Sequence, residues 1–210
     1  MRSPQRFVIV GAGLAGAKAA EALRVGGFVS DVILIGDETE HPYDRPPLSK
    51  DYLQGKSTKD TIYIHQESWY AEHDIDVRLA TRVTAIDRLA YEVVTDDGRR
   101  TRYDKLLLAT GSSPRRLNVV GGEAEGVFYL RRVEDSEAIK ASFAMAERVA
   151  IVGAGWIGLE TAAAARAAGC EVTIVEMAEL PLLGVLGREV AEIYATLHRE
   201  HGVTFRLARR

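Results

Sequence analysis

An α/β fold is predicted, with two mostly parallel sheets in three-layer arrangements and a small antiparallel meander attached to the first. Three observations carry this. The segment Phe7-Val-Ile-Val-Gly-Ala-Gly-Leu-Ala-Gly16 is nearly repeated as Val149-Ala-Ile-Val-Gly-Ala-Gly-Trp-Ile-Gly158. Each copy passes from a β-branched run through G-x-G-x-x-G into an alanine-rich stretch, then reaches a second apolar run. Between the copies, short strand-like runs flank Asp96-Asp97-Gly98, a turn signal.

Phe7–Val10 and Val32–Ile35 read as buried parallel strands, since continuous β-branched runs suit a sheet covered on both faces. Ala17–Leu23 is the crossover helix between them. It stops at Gly26-Gly27, because glycine most cheaply adopts the left-handed conformation that ends a helix. Residues 36–62 are rich in Pro, Asp, Lys and Ser and predict an excursion with short helical pieces. A brief helix over Gln66–His73 leads into the meander, with strands at Val83–Asp87, Glu92–Thr95 and Thr101–Tyr103. Lys105–Ala109 returns as a buried strand and runs into Thr-Gly-Ser-Ser-Pro.

The loop 114–126 is the expected boundary, giving domains at 1–115 and 116–210. Val133–Met145 is expected to be helical. Val149–Val152, the helix Leu159–Ala168 ending at Gly169, and Val172–Val175 then repeat the first unit. One helix, 187–200, and one strand-like run, 203–207, complete the chain. Two mononucleotide-binding βαβ units follow, so both domains are expected to be Rossmann-like.

Composition narrows the function. The chain has 210 residues, 47% hydrophobic and 27% charged, the balance of a folded globular protein. A net charge of −3 and no basic arm or stripe argue against nucleic acid. Arg2 and Arg6 before Phe7–Val10 imitate a signal peptide, but Gly11, Gly13 and Gly16 break the apolar run, and its twin lies deep in the chain. No apolar stretch reaches membrane-spanning length. One cysteine, Cys170, excludes an intrachain disulfide and is expected as a small buried hydrophobe. A cytoplasmic setting without membrane contact is expected. The five histidines show no metal-ligand spacing, and no metal is assigned.

A glycine-rich turn between strand and helix lets backbone approach a pyrophosphate, which the helix N-terminus then attracts through free N–H groups. An acidic residue is expected ~20 positions later, at the end of the second strand, to meet the ribose hydroxyls. Asp37 lies 21 residues after Gly16, and Glu176 lies 18 after Gly158. The full pattern occurs twice.

Four stretches make the reading specific. They are Gly11-Ala-Gly-Leu-Ala-Gly16, His41-Pro-Tyr-Asp-Arg-Pro-Pro-Leu-Ser-Lys50, Leu108-Ala-Thr-Gly-Ser-Ser-Pro114 and Gly153-Ala-Gly-Trp-Ile-Gly-Leu-Glu160. Together they resemble the ferredoxin and rubredoxin reductases of the FAD-dependent pyridine nucleotide-disulfide oxidoreductase superfamily, which supply bacterial dioxygenases and cytochromes P450. The apoptosis-inducing factor is a relative. The resemblance covers essentially the whole chain.

It implies FAD and NADH as cofactors. Gly11, Gly13, Leu14, Ala15 and Gly16 would surround the FAD pyrophosphate, with Asp37 by the ribose and Val83 at the adenine. Arg45 would reach the pyrophosphate and Lys50 the flavin. Ala109, Thr110 and Gly111 would pass beneath the cofactor, with Arg131 near its phosphates. Gly153, Gly155, Trp156, Ile157 and Gly158 would receive NADH, with Glu176 at its ribose. Glu160 would face Lys50, and these two are the catalytic candidates. Trp156 stands where the family more often has a smaller or tyrosyl residue; gating the flavin and packing the helix both remain open for it.

The implied activity is NADH oxidation through FAD, with electrons passed to a ferredoxin or rubredoxin. The alternative is a flavin-binding, redox-sensing interaction protein of the apoptosis-inducing-factor type. Disulfide reduction needs two cysteines beside the flavin, and this chain has only one. The family continues beyond the second βαβ unit, so the chain reads as the N-terminal half of a longer enzyme. Alone, it is expected to bind FAD weakly, reduce ferredoxin little and pair as a homodimer through an open edge near Val203.

Overall fold

In a computed structural model describing residues 5–208, the chain forms two compact units. One contains the described residues through Asp44 together with Lys59–Ser113; the other contains Arg45–Thr58 together with the chain from Pro114 onward. A linear boundary at 115/116 therefore meets the chain's last crossing closely. It leaves Arg45–Thr58 on the other side from where the structure packs it.

The first unit opens with β1 (Arg6–Val10), α1 (Leu14–Val25) and β2 (Asp31–Ile35). After the excursion come α2 (Glu67–Glu72) and β3 (Ile75–Arg78). The meander is β4 (Val83–Asp87), β5 (Glu92–Thr95) and β6 (Arg100–Arg102), and β7 (Lys105–Leu108) closes the unit. The main sheet has the order β3-β2-β1-β7, with every pairing parallel. Period-2 alternation divides its faces. Val8, Val10, Ile33 and Ile35 cluster with Val93 and Tyr103 of the meander side. Ile9, Val32 and Leu34 cluster with Ala20 and Tyr70 of the helices. The sheet is thus covered by helices on one face and by the antiparallel strands on the other.

β3 is absent from the sequence reading. Its four residues, Ile75-Asp-Val-Arg78, offer only two apolar side chains, and the pairing Val32↔Ile75 to Ile35↔Arg78 recruits it through backbone bonds. The meander turn forms where expected. Asp97 accepts the Thr95 hydroxyl (2.5 Å) and the Arg99 amide (3.1 Å), and these bonds hold its pKa down to about 2.

In the second unit, α3 (Val133–Phe143) precedes β8 (Arg148–Val152), α4 (Trp156–Ala167) and β9 (Glu171–Val175). Then come α5 (Leu183–Glu200) and β10 (Val203–Arg206). The sheet order is β10-β9-β8, all parallel, which places β10 at an edge. α5 begins before the expected Gly187 start, but Gly187 itself is non-helical (φ 75°, ψ 172°) and interrupts it. Ile139, Phe143, Leu159, Ala162, Ala165, Val172 and Ile174 form the core, and Leu53 from the distant excursion is buried among them. No helix of the described residues is long and apolar enough to cross a membrane.

Candidate nucleotide-binding sites

In the first unit, the chain leaves β1 at Gly11, whose amide donates to the Ile35 carbonyl at the end of β2 (2.8 Å). Gly11 has φ +115°, and a Cβ there would lie 2.1 Å from the Ala109 carbonyl oxygen. Gly16, one turn into α1, passes so near Gly11 that a Cβ would lie 1.9 Å from its carbonyl oxygen. Helix, turn and strand are therefore closer than any side chain permits. Gly13 is different. It is the N-cap of α1, has φ −93°, and a Cβ on it would meet no protein atom within 4 Å.

That open space is where a ligand can enter. No side chain caps this helix end and no acidic residue lies in its first turn. The leading amides lack acceptors within the helix, so the positive end of the dipole is left for an anion. Leu14 and Ala15 are exposed at this end.

The second unit repeats the arrangement. The Gly153 amide donates to the Val175 carbonyl (2.8 Å), and a Cβ on Gly158 would lie 2.0 Å from the Gly153 carbonyl oxygen. Gly155 caps α4, again with no side-chain cap and no acid in the first turn, and its Cβ direction is open. Both loops therefore fit a pyrophosphate by the same physical criteria.

Beside this loop, Glu176 Oε2 accepts the Ala154 amide (2.7 Å) and Oε1 accepts the Ala178 amide (2.9 Å). Burial pushes its pKa up, but the backbone hydrogen bonds outweigh burial and leave it below the usual carboxylate value. Each oxygen keeps a lone pair for a ribose hydroxyl.

Asp37, at the corresponding place in the first unit, pairs with Arg82 (2.8 Å), a partner not foreseen from the sequence. Val83 opens β4 and packs partly buried against the cluster of Val8, Val10 and Val93. Ala109 donates its amide to the Val10 carbonyl (2.7 Å), which brings residues 109–111 to the glycine loop.

Arg45 and Lys50 belong to the second unit. Arg45 donates to the Arg131 carbonyl (2.7 Å), which joins two residues 86 positions apart. Lys50 Nζ lies 3.5 Å from Glu160 Oε1, the expected facing pair. Pro46-Pro47 start a 3₁₀ turn, Pro46–Ser49, with Lys50 at its end. Ser49 was not singled out from sequence, yet its hydroxyl donates to Glu160 Oε2 at 2.5 Å. No local pattern could have joined residues 111 apart.

Trp156 and Ile157 are exposed at the first turn of α4. The Trp156 ring meets Tyr194 edge-on, with centroids 5.6 Å apart, so it packs on α5 while keeping an open face. Cys170 is buried, as expected, with its thiol 3.2 Å from the Ala146 carbonyl.

Putidaredoxin reductase of Pseudomonas putida is 42% identical to the chain over 209 residues, covering 98% of the chain and 50% of that protein. The ferredoxin–NAD(+) reductase component of the anthranilate 1,2-dioxygenase system of Burkholderia cepacia is 43% identical, covering 98% and 51%. The crystal structure of a covalent putidaredoxin reductase–putidaredoxin complex superposes with a TM-score of 0.94 at 41% identity, covering 98% of the chain and 50% of its counterpart. The chain thus spans about half the length of these curated relatives. The family profile for pyridine nucleotide-disulphide oxidoreductases matches residues 5–210. The chain belongs to the pyridine nucleotide-disulphide oxidoreductase family.

Proposed function

We propose that the polypeptide is a flavoprotein oxidoreductase, taking electrons from NADH through FAD to a ferredoxin or rubredoxin that feeds an oxygenase or P450. One observation carries the proposal: each unit holds a glycine-lined, uncapped helix N-terminus open to a pyrophosphate. Two dinucleotides in one chain suit hydride transfer between them. The relatives named above act as reductases of small redox proteins by their names, and this supports the acceptor class. A cytoplasmic site suits a chain whose sole cysteine is buried and unbridged.

The loop Gly11–Gly16 would hold the FAD pyrophosphate and Asp37 its ribose. The loop Gly153–Gly158 and Glu176 would do the same for NADH. When bound, FAD supplies the conversion of a two-electron hydride donor into single-electron transfer. The chain's residues supply charge and alignment. Lys50, held by Glu160, would offset negative charge on the reduced flavin. With FAD supplied at saturation to offset weak retention, rapid bleaching of the bound flavin by NADH is the expected result; bound flavin that stays oxidised under NADH would overturn the proposal.

Coenzyme choice should follow Glu176. Its ionised carboxylate would accept ribose hydroxyls and repel a 2′-phosphate, and Met177-Ala-Glu179 adds no arginine to neutralise one. NADH is expected to be preferred over NADPH. Glu176→Ala should narrow the ratio of kcat/KM values by roughly tenfold or more. Equal efficiency of wild type with both coenzymes would refute this.

Lys50→Met should slow flavin bleaching by about tenfold or more while FAD content stays near wild type, because the lysine acts on charge and not on retention. Stopped-flow bleaching at the wild-type rate would show Lys50 to be structural.

A further inference from the structure

Ser49 has one hydroxyl proton and two acceptors within reach: Glu160 Oε2 at 2.5 Å and the Pro46 carbonyl at 3.4 Å. The shorter, charge-assisted bond to the carboxylate takes the proton. This divides the labour of Glu160. Oε2 is tied to Ser49, and Oε1 faces the Lys50 ammonium.

The tie is also the rigid half of the arrangement. Lys50 is half exposed on a flexible four-carbon stem, whereas Ser49 is 4% exposed. The backbone beneath Ser49 is pinned from several sides. The Leu48 carbonyl accepts the buried Ser136 hydroxyl (2.8 Å), Tyr52 donates to Glu137 (2.7 Å), and Leu48 and Leu53 are both 2% exposed. A glutamate side chain has three rotatable bonds and would otherwise sample many positions.

We propose that Ser49 is the positioning residue of the Lys50–Glu160 pair: its buried hydroxyl fixes Glu160 so that one defined oxygen holds the Lys50 ammonium. The proposal rests on the reading that Lys50 acts on flavin charge, and the experiment separates the two.

The experiment uses the FAD-loaded polypeptide and compares Ser49→Ala, Ser49→Cys, Lys50→Met, Glu160→Gln and the double variant Ser49→Ala/Glu160→Gln. It measures the equilibrium flavin midpoint potential, FAD content and bleaching by NADH. Ser49→Ala should keep its FAD, shift the potential in the negative direction and slow bleaching by about tenfold. In the Glu160→Gln background, Ser49→Ala should add little to either change.

A wild-type potential and rate in Ser49→Ala, with Lys50→Met impaired, would overturn the proposal. An undiminished Ser49→Ala effect in the Glu160→Gln background would overturn it too, since the action would not run through Glu160. A wild-type Lys50→Met would instead remove the reading beneath it. Should Ser49→Ala fail to fold, Ser49→Cys replaces a strong donor by a weak one at similar volume. The same negative shift is then expected, and an unchanged potential counts against the proposal.

Discussion

Gly16→Ala is expected to unfold the first unit or displace α1 from its sheet, with loss of FAD binding. The new methyl would lie 1.9 Å from the Gly11 carbonyl oxygen and 3.1 Å from Leu34 Cδ1. Gly11 cannot retreat, because its amide is bonded to Ile35 and its own Cα faces the Ala109 carbonyl. Overpacking of this kind costs on the order of 3 kcal/mol or more where no side chain can swing away. Gly158→Ala should do the same to the second unit, through the 2.0 Å approach to Gly153. Gly13→Ala makes the informative contrast. Its methyl meets no protein atom, so thermal stability should hold while FAD affinity falls, because the methyl occupies the space a phosphate needs. Circular dichroism melting and flavin fluorescence titration distinguish these outcomes. A Gly16→Ala protein with wild-type melting and FAD affinity would show the close approach to be unimportant.

Leu53→Ala is expected to destabilise by about 2–5 kcal/mol, the range for emptying a fully buried leucine site. Leu53 is 2% exposed within the core of Ile139, Phe143, Leu159 and Val172, although it lies about a hundred residues earlier in the chain. The loss should be confined to the second unit. Amide exchange would accelerate in β8 and β9, while β1 and β2 keep their protection. Faster exchange in β1 and β2 alone would refute this placement of Leu53.

Where local chemistry determines conformation, the sequence could be read directly. Both strand–glycine–helix–strand units combine a β-branched run, a turn that only glycine fits and an alanine-rich helix, and both stand as expected. The meander turn was legible for the same reason, since Asp97 caps its own backbone. β3 was not, because Ile75 and Val77 give too short a pattern and only the waiting edge of β2 makes them a strand. At the sites, the glycine loops, Glu176, the Lys50–Glu160 pair, and Arg45 and Arg131 singly, could be named from motifs. Ser49 with Glu160, and Arg82 with Asp37, could not. Each joins side chains far apart in sequence, and a serine or a surface arginine carries no periodic signal.

The chain changes unit after Asp44, after Thr58 and after Ser113. Protein synthesis delivers these pieces in the wrong order. Leu48 and Leu53 emerge early, but the buried cluster that holds Leu53 is completed only at Val203. At ~5–20 residues per second the apolar side chains wait on the order of ten seconds for their pocket, exposed to chaperones and to other nascent chains. The same threading limits dissection. A gene cut at residue 115 would deliver a second unit lacking Leu53 and Ser49, and a first unit trailing an orphaned apolar strap. Excising 45–58 and fusing it before Pro114 would instead gather the second unit into one continuous stretch, and that rearranged gene is the one to build when the two units are to be studied apart.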